Sequence, residues 1–126
     1  MKVNITYEIP SQRVADLVIT AVEGGCNYWC NGLFLKKHNA KLTDGNWYAD
    51  PKLYDESFIL ECLETVDERT GETKSHLIGP GEFSRGFDVM ARDFPKAFED
   101  FMSENDDAET ADIFMQCVVF GELIYG

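Results

Sequence analysis

Residues 23 to 30 read EGGCNYWC, which places two cysteines and two large aromatic rings within eight positions. Two kinds of chemistry would use such a stretch. Cys26 and Cys30 could serve thiol or metal chemistry, and Tyr28 and Trp29 could stack on a flat ligand. A zinc site needs about four Cys or His ligands at recognisable spacing. Here three residues separate Cys26 from Cys30, and Cys62, Cys117, His38 and His76 are scattered singly. A Cys-x-x-Cys redox motif is absent as well. A reactive thiol calls for a helix N-terminus or a basic neighbour, whereas Cys26 follows the predicted end of a helix, where the negative end of the dipole disfavours a thiolate. The sequence therefore predicts no metal, no cofactor and no catalytic thiol.

The aromatic residues support a different expectation. Tyr28 and Trp29 follow one predicted turn, and Trp47 and Tyr48 follow another at Asp44-Gly45. If the two turns meet, the outward rings form a wall for a base, and base–aromatic stacking is worth about 1–3 kcal/mol per base. Asn27 and Asn46 would add amide hydrogen bonds, and Arg85 or Arg92 would balance phosphates. The competing expectation is that all four rings plug the end of a sheet, their polar tips finding partners there.

The elements that must position these residues are read from periodicity. Residues 2–9, KVNITYEI, alternate strictly, with Val3, Ile5, Tyr7 and Ile9 on one side, which predicts a strand. Ser11 is placed to cap a helix over 12–23 carrying Val14, Leu17, Val18, Ala21 and Val22 inward, ended by a left-handed Gly24 or Gly25. Between 31 and 56 a hairpin about Asp44-Gly45 is expected, although its alternation is poor, followed by an irregular loop near Pro51. SFILECLETV and TKSHLI predict a second hairpin turning near Arg69–Gly71. Three helices complete the chain. The first covers 83–93, with Phe83, Phe87, Met90, Ala91 and Phe94 buried. The second starts at Pro95, with Phe98, Phe101 and Met102 inward. The third covers 108–120, capped by Asp106 or Asp107 and ended by Gly121. This order predicts one domain over residues 1–126, of class α+β, with helices packed on a small antiparallel sheet.

Composition restricts function further. With 44% hydrophobic and 13% aromatic residues the 126-residue chain is that of a globular protein. Its apolar runs fall short of the roughly 20 residues that span a bilayer, and its start lacks the pattern of a signal peptide. A cytoplasmic protein with free thiols is expected. No phosphate-binding GxxxxGK[ST] occurs, GPGEFSRG lacks the third glycine of a dinucleotide loop, and no nucleophile elbow, HExxH or EF-hand is present. The carboxylates are too numerous for any pair to stand out for acid–base work. The protein is read as a non-enzyme.

The net charge is −12 and it is unevenly spread. Residues 1–54 hold six basic against five acidic side chains, while residues 55–126 hold five against eighteen. Such a field repels phosphate backbones, which argues against direct nucleic-acid binding, and attracts basic partners. The densest stretch is EDFMSENDDAETAD, where Glu99, Asp100, Glu104, Asp106, Asp107, Glu109 and Asp112 stand without one basic residue. The dipole at the start of the last helix accounts for some of these acids, but not for Glu99, Asp100 and Glu104.

VADLVITAVEGGCNYWC near the start and ENDDAETADIFMQCVVFGELIYG at the end resemble a family of small phage and prophage proteins. Gly24, Gly25, Asn27, Tyr28 and Trp29 carry the first part of the resemblance; Asp106, Asp107, Phe120, Gly121 and Gly126 carry the second. The resemblance implies a setting inside an infected bacterial cell and no catalytic residues. Three functional expectations follow. The first is an accessory factor that blocks a basic host defence or nucleic-acid-handling protein through the acidic face, in the manner of a DNA mimic. The second is sequestration of a small nucleotide by Asn27, Tyr28, Trp29, Trp47 and Tyr48. The third is a structural component of the virion or its assembly. The apolar ending CVVFGELIYG is expected either to add an edge strand or to make a homodimer contact through Leu123, Ile124 and Tyr125.

Overall fold

The computed structural model describes residues 1–43 and 45–126. Helix α1 (Ser11–Thr20) is followed by strand β1 (Cys30–His38), two short 3-10 turns (Trp47–Ala49 and Pro51–Asp55), strands β2 (Phe58–Glu64) and β3 (Ser75–Ile78), and helices α2 (Pro80–Asp93), α3 (Pro95–Met102) and α4 (Ala108–Phe120). The described strands form an antiparallel sheet of order β1-β2-β3, so the fold is α+β as its residue pattern predicts.

Strand β2 is central because its alternation is clean: Phe58, Leu60, Cys62 and Glu64 are buried on one face. Its pairing with β1 is interrupted between Cys30 and Gly32 and again between Leu35 and Lys37. Each such bulge inserts one residue and reverses which face the following side chains take. That is why β1 alternates poorly in sequence. The expected partner arm of β1 after Asp44-Gly45 is not a strand; the residues from Trp47 form 3-10 turns and β1 pairs with β2 instead. Asp44 itself lies outside the described residues. The second hairpin turns through Asp67–Gly71 as expected, closed by Gly71 N–H to Asp67 O at 2.7 Å.

Helix α4 runs through the middle of the core, with eight of its residues buried. Asp107 caps it, accepting from Thr110 N–H at 3.0 Å, and Gly121 closes it in the left-handed conformation. Helix α2 crosses it so closely that a Cβ on Gly86 would lie 2.5 Å from Val118 Cγ2 and 3.0 Å from Val118 N.

Four local expectations are corrected. Residues 2–9 form no strand, and Val3, Ile5 and Tyr7 are exposed; the segment runs beside Phe87 and Phe98 of α2 and α3 and pairs with none of the described strands. Ser11 is not the cap of α1. It is the first helical residue, and its hydroxyl donates to Asp55. The helix continues as a wide π turn over Ala21–Gly25, where Cys26 N–H reaches Ala21 O at 3.1 Å, and neither Gly24 nor Gly25 is left-handed. Gly25 is instead needed for space: a Cβ there would sit 2.8 Å from Ala108 O. Finally, Ala91 and Met102 face solvent, not the core.

Candidate functional site

The EGGCNYWC stretch turns its tryptophan inward. Trp29 is fully buried, stacked on Tyr125 at 5.7 Å with ring planes 6° apart and set against Phe120 at 5.2 Å. Its indole N–H donates to Asp112 Oδ1 at 2.7 Å, while the Tyr28 hydroxyl donates to the other carboxylate oxygen. Gln116, also fully buried, donates to Asp112 Oδ1 at 3.1 Å and to Tyr125 O at 3.0 Å. Its Oε1 accepts from the backbone N–H groups of Ile124 and Tyr125 at 2.9 and 2.8 Å. The Tyr125 hydroxyl donates to Glu64, whose second oxygen lies 2.7 Å from His76 Nε2.

This network sets the titration of its members. Burial, followed by the Asp112 carboxylate, pushes the Tyr28 phenol up to about 12. The bond to Glu64, with burial behind it, does the same to Tyr125. Burial works against ionisation of Glu64, but bonds from His76 and Tyr125 outweigh it and hold the carboxyl below its ordinary range. The chain ending is therefore folded onto its own core through Tyr125 and adds no edge strand, while the apolar side chains of Leu123 and Ile124 stay exposed.

The stacking wall is not assembled. Trp47 and Tyr48 pack edge-to-face on one another at 5.5 Å, and Tyr48 O accepts from the Tyr54 hydroxyl at 2.7 Å. Trp29 has its ring contacts with Phe120 and Tyr125. Asn27 is exposed beside Tyr28. The Arg85 guanidinium donates to Val118 O, and Arg92 binds its neighbour Asp93 at 2.9 and 3.0 Å. Apart from the exposed Asn27, the residues expected to hold a nucleotide are thus divided among separate contacts within the fold.

The acidic set divides too. Asp106 accepts from Arg13 Nη2 at 2.7 Å, and the same nitrogen donates to Phe101 O at 2.7 Å with the guanidinium over the Phe101 ring. Asp107 is the cap of α4, and the Thr110 N–H holds its carboxyl below the ordinary range. Asp112 belongs to the tryptophan network, and Asp100 pairs with Lys96 at 2.6 Å. Glu99, Glu104 and Glu109 remain exposed, with no ion pair among the described residues.

Between α3 and α4 lies a groove of about 490 Å³. Phe94, Ala97 and Ile113 supply apolar surface, while Asp93, Asp100, Asp107 and Glu109 stand around it with Lys96. Glu104, at the end of α3, holds a left-handed φ of 60°. A residue with a Cβ adopts that conformation at a cost of about 1 kcal/mol. Apolar contact flanked by fixed negative charge suits a segment that is itself basic and amphipathic.

The juxtaposition that sequence reasoning missed is one of two thiols. Cys30 and Cys62 come within 3.6 Å of one another, sulfur to sulfur, and Cys26 lines the same opening as Cys30. Residues 30 and 62 can be linked in sequence only by knowing that β1 pairs with β2. Among the described residues, no group of three or more His, Cys, Asp or Glu side chains is placed to hold a metal ion. No described helix is long and apolar enough to cross a membrane. No family model, curated protein or solved structure matches this chain.

Proposed function

We propose that this protein is a non-catalytic blocking factor that docks a basic partner protein on its α3–α4 face. The observation that carries this reading is the groove between α3 and α4, with apolar surface at Phe94, Ala97 and Ile113 beside acidic side chains. Glu99, Glu104 and Glu109 extend the negative field beyond it and are not neutralised by ion pairs among the described residues. The acid at Glu104 stands where glycine would be easier for the backbone, which favours a task for the charge over one for the fold. Asp106 and Asp112 are engaged within the fold, by Arg13 and by the tryptophan network, while Asp107 both caps α4 and lines the groove.

The resemblance to phage proteins gives this reading its setting. The partner is then a host protein whose basic surface ordinarily holds nucleic acid, and the acidic face acts inside the bacterial cell as a mimic of the phosphate backbone. Charge complementarity of this kind contributes chiefly to association rate and specificity, and salt screens it.

The test begins with native mass spectrometry of the protein recovered from infected host lysate, followed by titration of the purified partner it retains. Affinity should fall at least about tenfold between low and physiological salt. A triple change Glu99→Lys, Glu104→Lys and Glu109→Lys should abolish binding while leaving the circular dichroism spectrum unchanged. Binding that ignores both salt and the triple change would sink the proposal. Recovery of a bound nucleotide in place of a protein would replace it with sequestration.

A further inference from the structure

The bulge at the start of β1 carries a second site, remote in its chemistry from the acidic face. Cys30 pairs in register with Glu64 and Gly32 with Leu63, leaving Asn31 unpaired between them. Strand residues two apart share a face, so Cys30 and Cys62 project to the same side, and their sulfurs lie 3.6 Å apart. This is van der Waals contact, and closing it to a disulfide requires an approach to about 2.05 Å between adjacent strands.

The two thiols are unequally accessible. Cys62 is fully buried, whereas Cys30 is half-buried and lines an opening of about 200 Å³ together with Cys26, Asn27, Asn31 and Met115. A small solute therefore reaches Cys30 first. The neighbouring thiols of Cys26 and Cys62 favour negative charge on the Cys30 sulfur, holding its thiol well below the ordinary range against the effect of burial. The same interaction, with burial, pushes Cys26 and Cys62 upward. Cys117 stands apart; burial pushes its thiol up to about 11. A thiolate that is both stabilised and reachable is the requirement for selective oxidation.

We infer that Cys30 and Cys62 form a peroxide-reactive dithiol, with Cys30 the attacking sulfur and Cys62 the resolving one. In the first step the Cys30 thiolate attacks a hydroperoxide oxygen. The S–O bond forms, the O–O bond breaks, and the departing hydroxide or alkoxide takes a proton, leaving Cys30 as a sulfenic acid. In the second step the Cys62 thiol gives up its proton and attacks the Cys30 sulfur. The S–S bond forms, the S–O bond breaks, and the hydroxyl leaves as water. With hydrogen peroxide the balance is two thiols and one peroxide to one disulfide and two waters. The product ties the first residue of β1, next to the Trp29 turn, to the centre of β2.

The test uses the full chain treated with a small excess of hydrogen peroxide and mapped without reduction. The expected result is loss of two hydrogens and one intramolecular link between the peptides holding Cys30 and Cys62. Cys62→Ser should stop the reaction at the sulfenic acid, which a 1,3-dicarbonyl probe traps on Cys30. Cys30→Ser should leave Cys62 reduced, and Cys117→Ser should form the link as the unmodified chain does. Iodoacetamide at mildly acidic pH should label Cys30 at least about tenfold faster than Cys117. A link from Cys30 to Cys26, a link between chains, or equal labelling of Cys30 and Cys117 would each overturn the assignment. Thermal melting of each variant separates loss of the reaction from loss of the fold.

Discussion

The indole N–H of Trp29 donates to the carboxylate of Asp112 at 2.7 Å, across 83 residues of chain. Around that bond the opening turn, the last helix and the chain ending are joined, since Gln116 and Tyr28 share the same carboxylate and Gln116 grips Tyr125. The apolar stacking of Trp29 on Tyr125 and the polar network below it stabilise the same arrangement.

Trp29→Ala should therefore cost about 3–5 kcal/mol, the range for removing a large buried aromatic. Asp112→Ala, which strands three donors, should cost about 2–4 kcal/mol. Urea unfolding of both variants measures this. Near-neutral values would mean that the tryptophan is not a core residue.

Gly86→Ala tests the contact between α2 and α4. The new methyl would meet Val118 Cγ2 at 2.5 Å and the Val118 backbone at 3.0 and 3.1 Å. Overpacking against backbone should lower stability by about 1–3 kcal/mol, although alanine is otherwise the better helix former. A rise in the melting temperature would show that the helices separate more easily than their contact suggests.

Glu104→Gly separates stability from function. Glycine relieves the left-handed backbone at this position, so the fold should gain up to about 1 kcal/mol. Binding to the basic partner should weaken with the loss of one charge. A variant that is more stable and binds equally well would remove Glu104 from the docking face.

Acid stability should report on Glu64. Its folded pKa lies below its ordinary value of 4.5, because the bonds from His76 and Tyr125 outweigh burial, with Lys74 adding a smaller attraction. The stabilisation is thus fully present above pH 4.5 and is lost as the pH falls through the folded value. In Glu64→Gln this loss is absent, so the stability gap between the two proteins should narrow as the pH drops below 4.5. Denaturant midpoints measured from about pH 6 down to about pH 3 give the comparison. Parallel curves would show that Glu64 titrates as an ordinary carboxylate.

Much of the fold was legible because local patterns coincided with tertiary need. The alternation of Phe58 to Glu64, the helical stripes of Phe83 to Met90 and Ala111 to Val119, and Asp107 with Gly121 at the ends of α4 each read correctly. Strand β1 was obscured by its two bulges, which reverse the alternation midway. Residues 2–9 show the opposite error: Val3, Ile5 and Tyr7 alternate, yet a strand needs a neighbour, and the segment lies over helices.

The sequence by itself determined the α+β class, the placement of most elements and the concentration of negative charge after residue 54, because periodicity, capping and charge are local properties of the chain. Only the tertiary structure decided which polar side chains were spent on the fold and which were left over. Packing consumed Asp106, Asp112 and Trp29, left Glu99, Glu104 and Glu109 exposed, and brought Cys30 against Cys62. A side chain's partner depends on elements that are distant in sequence and adjacent only after the core has closed.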